Sequence, residues 1–232
     1  MLKAIIFDGD DTLWHTEWLY DEARRHARQI VEREGLDGER WEARERLLDV
    51  ENVSHLGHSA ERFPSSCVTA YEEECAIEGR AVDEGARRSV GDAARTVFGR
   101  PAPLVSGARE TLEALKARGL LLALLTKGDP LVQVQRIEQS GLRPIFDLVE
   151  VVEEKTSESI LATVGRLGVS PGEALTVGNS ARSDVLPSLA AGITPVWIDA
   201  HVWEYERDHN QIPEENVIKR EDLSALLEIS TP

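Results

Sequence analysis

The sequence predicts an α/β protein, a doubly wound, Rossmann-like parallel sheet with a helical domain inserted behind its first strand. Three observations lead there. The run Leu2-Lys3-Ala4-Ile5-Ile6-Phe7 is short, almost continuously apolar and stops at acidic residues, as a strand buried on both faces does. From residue 101 onward, short apolar runs alternate with stretches of helical periodicity, the pattern of repeated βα units. Between them, residues 16–100 have no strand pattern and read as a helical lobe.

Within the lobe, Leu19, Ala23, Ala27, Ile30 and Val31 recur at helical spacing through 17–34, and Gly35 supplies a stop. Further helices are expected at 39–50, 66–78 and 82–98, and the Gly, Ser and Pro residues between 52 and 66 read as loop. After Arg100-Pro101-Ala102-Pro103 the expected order is helix 107–118, strand 120–125, helix 130–139 and strand 148–151, then helix 157–167, strand 174–178, helix 183–190 and strand 194–198. Residues 1–15 and 101–232 thus form the α/β core, and 16–100 the insertion. The tail, 199–232, carries nine acids against three bases and ends in an amphipathic piece, 221–229.

Composition limits the function classes. The chain has 232 residues, with 26 Lys and Arg against 42 Asp and Glu, a formal net charge of −16. Acidity of this size opposes phosphate counterion release and adhesion to anionic lipid, so neither nucleic acid nor membrane is an expected partner. No cleavage-site pattern and no apolar stretch approaching about 18 residues is seen. Cys67 and Cys75, on a helix, would lie ~12 Å apart, beyond disulfide reach. A cytoplasmic setting is expected.

In open α/β sheets the reactive groups lie beyond the carboxyl ends of the strands. Here those positions hold Asp8-Gly9-Asp10-Asp11-Thr12, Thr126-Lys127-Gly128-Asp129, Glu153-Glu154-Lys155 and Gly178-Asn179-Ser180-Ala181-Arg182-Ser183-Asp184. Lysine is scarce, five residues against 21 arginines, yet two of the five stand at strand ends beside these acids. A compact ammonium is not interchangeable with a planar guanidinium at a phosphoryl site.

The segments FDGDDTLW, LLTKGD, EEKTSES and VGNSARSD, in that order, resemble the four motifs of the haloacid dehalogenase-like superfamily, and the insertion resembles its helical C1-type cap. Asp at both 8 and 10 resembles the phosphatase and phosphomutase branches; the founding dehalogenases lack the second Asp. The resemblance implies a Mg²⁺-dependent phosphatase acting on a small phosphomonoester. Asp8 would be the nucleophile, forming an acyl-phosphate, and Asp10 the acid and base that serves leaving group and water. Mg²⁺ would be held by Asp8, the Asp10 main-chain carbonyl, Asn179 and Asp184. Lys155 would neutralise the phosphoryl oxygens, and Thr126 with the following amides would hold them.

Three departures from the family pattern stand out. Asn179 replaces a common Asp, Lys127 replaces a common Asn and would add a cation near the phosphate, and Thr156-Ser157-Glu158 replaces Pro-x-Pro after Lys155. Asp11 reads as structural. His58 and Arg62, in the non-periodic centre of the lobe, are expected to face substrate; a zinc site on His55 and His58 lacks further ligands at suitable spacing. Trp14, His15 and Trp18 lie where the chain leaves the core, with Trp18 expected to be buried. Three other readings are a phosphomutase, a dehalogenase, in which Asp10 would have no role, and a non-catalytic module with a decayed metal site.

Overall fold

The computed structural model describes residues 1–198, 200, 202–206, 212 and 216–229. It divides into two compact units, Met1–Glu17 with Pro101–Pro232, and Trp18–Arg100.

The first unit is built on β1 (Ala4–Phe7), β2 (Leu121–Lys127), β3 (Leu148–Val152), β4 (Ala174–Gly178), β5 (Thr194–Ile198) and β6 (Ile218–Arg220). Among the described residues these form one sheet in the order β3-β2-β1-β4-β5-β6, with every neighbouring pair parallel. Alternation along β1 and β2 sends side chains to two separate cores. Ile5, Phe7, Leu122 and Leu124 pack with Leu112 and Leu115 of α6 (Ala108–Ala117) and Ile137 of α7 (Pro130–Ser140). On the other face Ala4, Ile6, Ala123 and Leu125 meet Ile160 and Val164 of α8 (Ser157–Arg166). Both faces are covered, which explains why the strands read as apolar runs rather than alternating ones.

Chain order runs outward from β1 through β2 to β3, then returns to β4 and runs the other way. The reversal point therefore lies between the carboxyl ends of β1 and β4, where such sheets form their binding crevice. Phe7 pairs with Val177 there, so the chain segments beginning at Asp8 and Asn179 leave the sheet side by side.

The helical unit carries α1 (Glu17–Arg33), most of which lies within it, α2 (Gly38–Glu51), α3 (Val53–Leu56), α4 (Arg62–Ile77) and α5 (Glu84–Gly99). Trp41, Phe63, Cys67, Tyr71, Val90 and Val97 are buried in it, and α4 packs against both α2 and α5. The segment expected to be loop holds α3 and the start of α4. Pro64 is tolerated because first-turn N–H groups have no helical partner in any case. Cys67 and Cys75 are both free and buried. Trp18 corrects an expectation: it is 48% exposed, with the Arg100 guanidinium 5.4 Å from its ring centre.

The helix expected at 183–190 begins earlier, as a π-helical turn over Ala181–Val185 leading into α9 (Leu186–Ala190). Ser180 starts it: its hydroxyl accepts from the Ser183 amide at 2.8 Å, and its carbonyl accepts from Val185 N at 3.1 Å. Wide turns of this kind recur at functional sites. In the amphipathic tail, Leu223–Glu228 is a 3₁₀ helix that buries Leu223 and Leu226.

Candidate active site

Asp8 is the first residue beyond β1 and its amide donates to Val177 O at 2.8 Å, which fixes the side chain at the reversal point. The Lys155 ammonium bonds the Asp8 carboxylate and also donates to Asp184 Oδ1 at 2.7 Å. One buried cation thus serves two buried carboxylates. Burial pushes the Asp8 carboxyl up to about 7; Lys155 pulls it down, and the charges of Asp184 and Asp10 push it further up. Lys155 moves above its ordinary range: burial opposes its charge, but Asp184 and Asp8 outweigh that.

Asp184 reaches this point because Gly178 has no side chain. A Cβ there would lie 2.2 Å from the Asp184 carboxyl carbon. Its second oxygen accepts from the Ser180 amide at 2.9 Å. Asn179 Oδ1 accepts from the Thr12 hydroxyl at 3.3 Å, while Trp197 donates to the Asn179 carbonyl at 2.9 Å. Thr126 is buried at the end of β2.

The Asp10 side chain is held on three sides. Trp14 Nε1 donates to Oδ1 at 2.7 Å, and Gln133 Nε2 and Arg136 Nη1 both donate to Oδ2 at 2.8 Å. The neighbouring Asp11 does structural work. Its φ of 59° is the one positive value among described residues other than glycine, and its carboxylate accepts from Thr16 N at 2.8 Å and Glu17 N at 3.1 Å, where α1 begins. A short side chain that bonds locally is what tolerates this backbone region.

Among the described residues no group of three His, Cys, Asp or Glu side chains is arranged to hold a metal ion. The donors that do gather are the carboxylates of Asp8 and Asp184, with the Asn179 carboxamide on the adjoining strand end. All are oxygens, the donor type that Mg²⁺ selects. Two buried carboxylates set against one ammonium leave a deficit of positive charge that such an ion offsets. These residues fit a hard divalent cation.

A family model described as haloacid dehalogenase-like hydrolase matches residues 2–192. The chain belongs to the haloacid dehalogenase-like hydrolases. It is 29% identical over 235 residues to the glyceraldehyde 3-phosphate phosphatase of Methanothermobacter thermautotrophicus, covering 99% of this chain and 100% of the other. With the phosphoserine phosphatase of Thermus thermophilus it shares 33% identity over 102 residues, 42% of this chain and 41% of the other. The crystal structure of a haloacid dehalogenase-like hydrolase from Xanthomonas campestris matches with a TM-score of 0.77 at 26% identity, covering 97% of this chain and 92% of that one. An L-2-haloacid dehalogenase from Xanthobacter autotrophicus shares the fold, with a TM-score of 0.64 at 19% identity, covering 98% of each chain. One fold hosts several chemistries, so the site residues must decide between them.

The residues in which this haloacid dehalogenase-like hydrolase departs from its family now have a setting. Thr156 caps α8: its hydroxyl accepts from Ser159 N at 3.2 Å and Ser159 Oγ accepts from Thr156 N at 2.9 Å, a capping box. Lys127 is engaged by a residue outside the four motifs. Its ammonium lies 2.5 Å from Glu206 Oε1, and Glu206 Oε2 accepts from Ser180 Oγ and, at 2.6 Å, from Ser183 Oγ. Burial would raise the Glu206 carboxyl, but Lys127 and the two hydroxyls hold it at about 2. Tyr205 adds its ring, 4.1 Å from the Arg182 guanidinium.

Sequence reasoning missed Glu206, which sits in the acid-rich tail with no local pattern to mark it. It missed Gln133 and Arg136 as well; their one signal is i, i+3 spacing on a helix that follows a motif. In the helical unit, Arg62 Nε donates to Asp49 Oδ1 at 2.9 Å, and Arg62 Nη1 lies 3.2 Å from His58 Nδ1. Arg62 is thus bonded within its own unit.

Proposed function

We propose that the protein is a cytoplasmic, Mg²⁺-dependent phosphatase that hydrolyses a small phosphomonoester through an aspartyl-phosphate on Asp8. The chain is a phosphoric monoester hydrolase: it belongs to a hydrolase family, and its full-length relative is named as a phosphatase. The observation that carries the mechanism is the pairing of Asp8 with Lys155 and Asp184 beside a second, separately held aspartate, Asp10. Attack on carbon with departure of halide needs no proton donor, so a dehalogenase would leave Asp10 idle. Cleaving a phosphate ester expels an alkoxide, which does need one.

In the first step a carboxylate oxygen of Asp8 forms a bond to phosphorus as the ester P–O bond breaks, and Asp10 gives its proton to the departing oxygen. Lys155 offsets the charge on the phosphoryl oxygens, and Thr126 holds them. In the second step Asp10, now a carboxylate, takes a proton from water as its oxygen attacks phosphorus, releasing phosphate and restoring Asp8. Mg²⁺, held by Asp8, Asp184, Asn179 and the Asp10 main-chain carbonyl, would add positive charge at the phosphoryl group.

The helical unit, Trp18–Arg100, is proposed as the cap that selects the organic part of the substrate. The name of the full-length relative puts glyceraldehyde 3-phosphate first among substrates to test.

The test is rapid quenching with ³²P-labelled phosphomonoesters, with and without Mg²⁺. Wild type is expected to carry transient acid-stable label and release phosphate to water. Asp8→Asn is expected to carry none and to lose about 10⁴-fold or more in turnover, with an unchanged circular dichroism spectrum. Substantial turnover by Asp8→Asn would sink the covalent route, and return of label to a substrate hydroxyl in place of water would mark a mutase.

A further inference from the structure

We propose that Trp14, Gln133 and Arg136 are positioning residues for Asp10, a cage of donors that fixes its carboxylate for proton transfer. The inference rests on the reading of Asp10 as acid and base given above.

The cage is built into the chain at several levels. Trp14 is fully buried, and its ring lies against Gly9, where a Cβ would come within 2.5 Å of a ring carbon. The glycine between the two motif aspartates thus makes room for the indole whose N–H meets Asp10 Oδ1. Gln133 and Arg136 stand one turn apart on α7, so both reach the same oxygen. Asp129 sets the start of that helix by accepting from Leu131 N at 2.9 Å.

The orientation of the Gln133 amide is also fixed. Its Nε2 donates at 3.0 Å to the Lys127 carbonyl as well as to Asp10, so turning the amide over would set its oxygen against that carbonyl. Gly128 leaves space for it: a Cβ there would lie 3.2 Å from Gln133 Nε2, and its φ of +130° is one that glycine accepts readily.

Burial separates this arrangement from an ordinary ion pair. The Arg136 side chain is 5% exposed and that of Asp10 30%, and Gln133 is 3% exposed. The donors are buried and the carboxylate they grip keeps an open side. A proton-transfer group must be held within a fraction of an ångström, and a displacement of about 1 Å can cost on the order of 100-fold.

Trp14→Phe keeps an aromatic ring and removes the donor; Arg136→Met keeps much of the length and removes the charge. In rapid-quench assays with Mg²⁺, both are expected to form phosphoenzyme from p-nitrophenyl phosphate at close to the wild-type rate, since that leaving group needs no proton. Hydrolysis of the phosphoenzyme, and phosphorylation by an alkyl phosphate, should each slow by about 10- to 100-fold. KM for the alkyl phosphate should change little, KM for p-nitrophenyl phosphate should fall as phosphoenzyme hydrolysis becomes rate-limiting, and Arg136→Lys should recover part of the loss.

Wild-type rates in both variants, or equal losses in all steps for both aryl and alkyl substrates, would overturn the cage. Asp10→Asn run alongside separates the two levels of inference. If it hydrolyses phosphoenzyme normally, the acid and base reading fails. If it is slow while the cage variants are not, the positioning inference alone fails. Trp14 and Arg136 lie on different elements and circular dichroism and the thermal midpoint are read for each variant, so a folding defect in one would still leave a decisive variant in the other.

Discussion

In the helical unit three buried carboxylates meet three guanidiniums: Arg24 Nε lies 2.6 Å from Glu45 Oε2, Arg62 Nε lies 2.9 Å from Asp49 Oδ1, and Arg40 bonds Glu74. In the α/β unit one ammonium, Lys155, serves both Asp8 and Asp184. Three buried carboxylates against three guanidiniums is a balanced arrangement that ties the helices together. Two against one is an imbalance that a fold built for stability alone has no reason to keep, because burying uncompensated charge is costly. The imbalance therefore marks a place where a proton or an added cation would balance the charge, which on the proposed reading is Mg²⁺, and the charge pattern points there independently of any motif.

The largest test of this contrast removes the shared cation. Lys155→Met should lower turnover by about 100-fold or more, the usual effect of losing one donor to transition-state charge. Arg24→Met, which leaves the buried Glu45 without its cation, should instead cost on the order of 3–5 kcal/mol of stability, read as a fall in the denaturation midpoint. If Lys155→Met keeps its turnover, the shared ammonium is structural and the contrast collapses.

A smaller test uses pH on the helical unit. Burial pushes the Glu45 carboxyl up to about 7 from its ordinary 4.5, against the pull of Arg24, and its Oε1 is buried without a hydrogen-bond partner. The folded state thus holds the Glu45 proton more tightly than the unfolded state does. The stabilisation this gives is complete below about pH 4.5 and is lost as pH rises through about 7. Glu45→Gln should flatten that part of the profile. The change expected is a few °C between pH 4.5 and 7.5, since about 1 kcal/mol moves the thermal midpoint by roughly 2–4 °C at this size. Parallel profiles for wild type and Glu45→Gln would mean that the pair stays ionised throughout.

What was legible in the sequence follows from what each feature depends on. Strands 174–178 and 194–198 are found where the apolar runs predict them, because a strand buried on both faces must be apolar along its length. Asp8, Asp10, Lys155 and Asp184 were visible because a strand end fixes them close to where the chain places them. β6, Ile218–Arg220, was not visible: three residues, two of them basic, give no apolar run. Nor was the cage on Asp10, since Gln133 and Arg136 look like polar positions of an amphipathic helix until the fold brings α7 within reach of Asp10. The fate of Lys127 depends on Glu206, 79 positions away, and local pattern carries no information about a partner at that distance.

Lys127 supplies the smallest and most discriminating test, because two roles for it predict different kinetics. As a phosphate ligand it would act alone: Lys127→Met would raise KM, and Glu206→Gln, which leaves the ammonium in place, would not. As the partner of Glu206 it acts in a pair whose side chains are 13% and 9% exposed, and which ties the end of β2 to Ser180 and Ser183 beside Asp184. Either single change then loosens the same junction. Both should lower the thermal midpoint and turnover alike, and the double variant should be little worse than either, with a coupling energy on the order of 0.5–3 kcal/mol. A double-mutant cycle in stability and in kcat/KM measures this directly. Additive losses, with the rise in KM confined to Lys127→Met, would return Lys127 to the phosphate and leave Glu206 a bystander; strong coupling would make the pair a brace for the loop that carries Asp184, supplied by a tail that belongs to none of the four motifs.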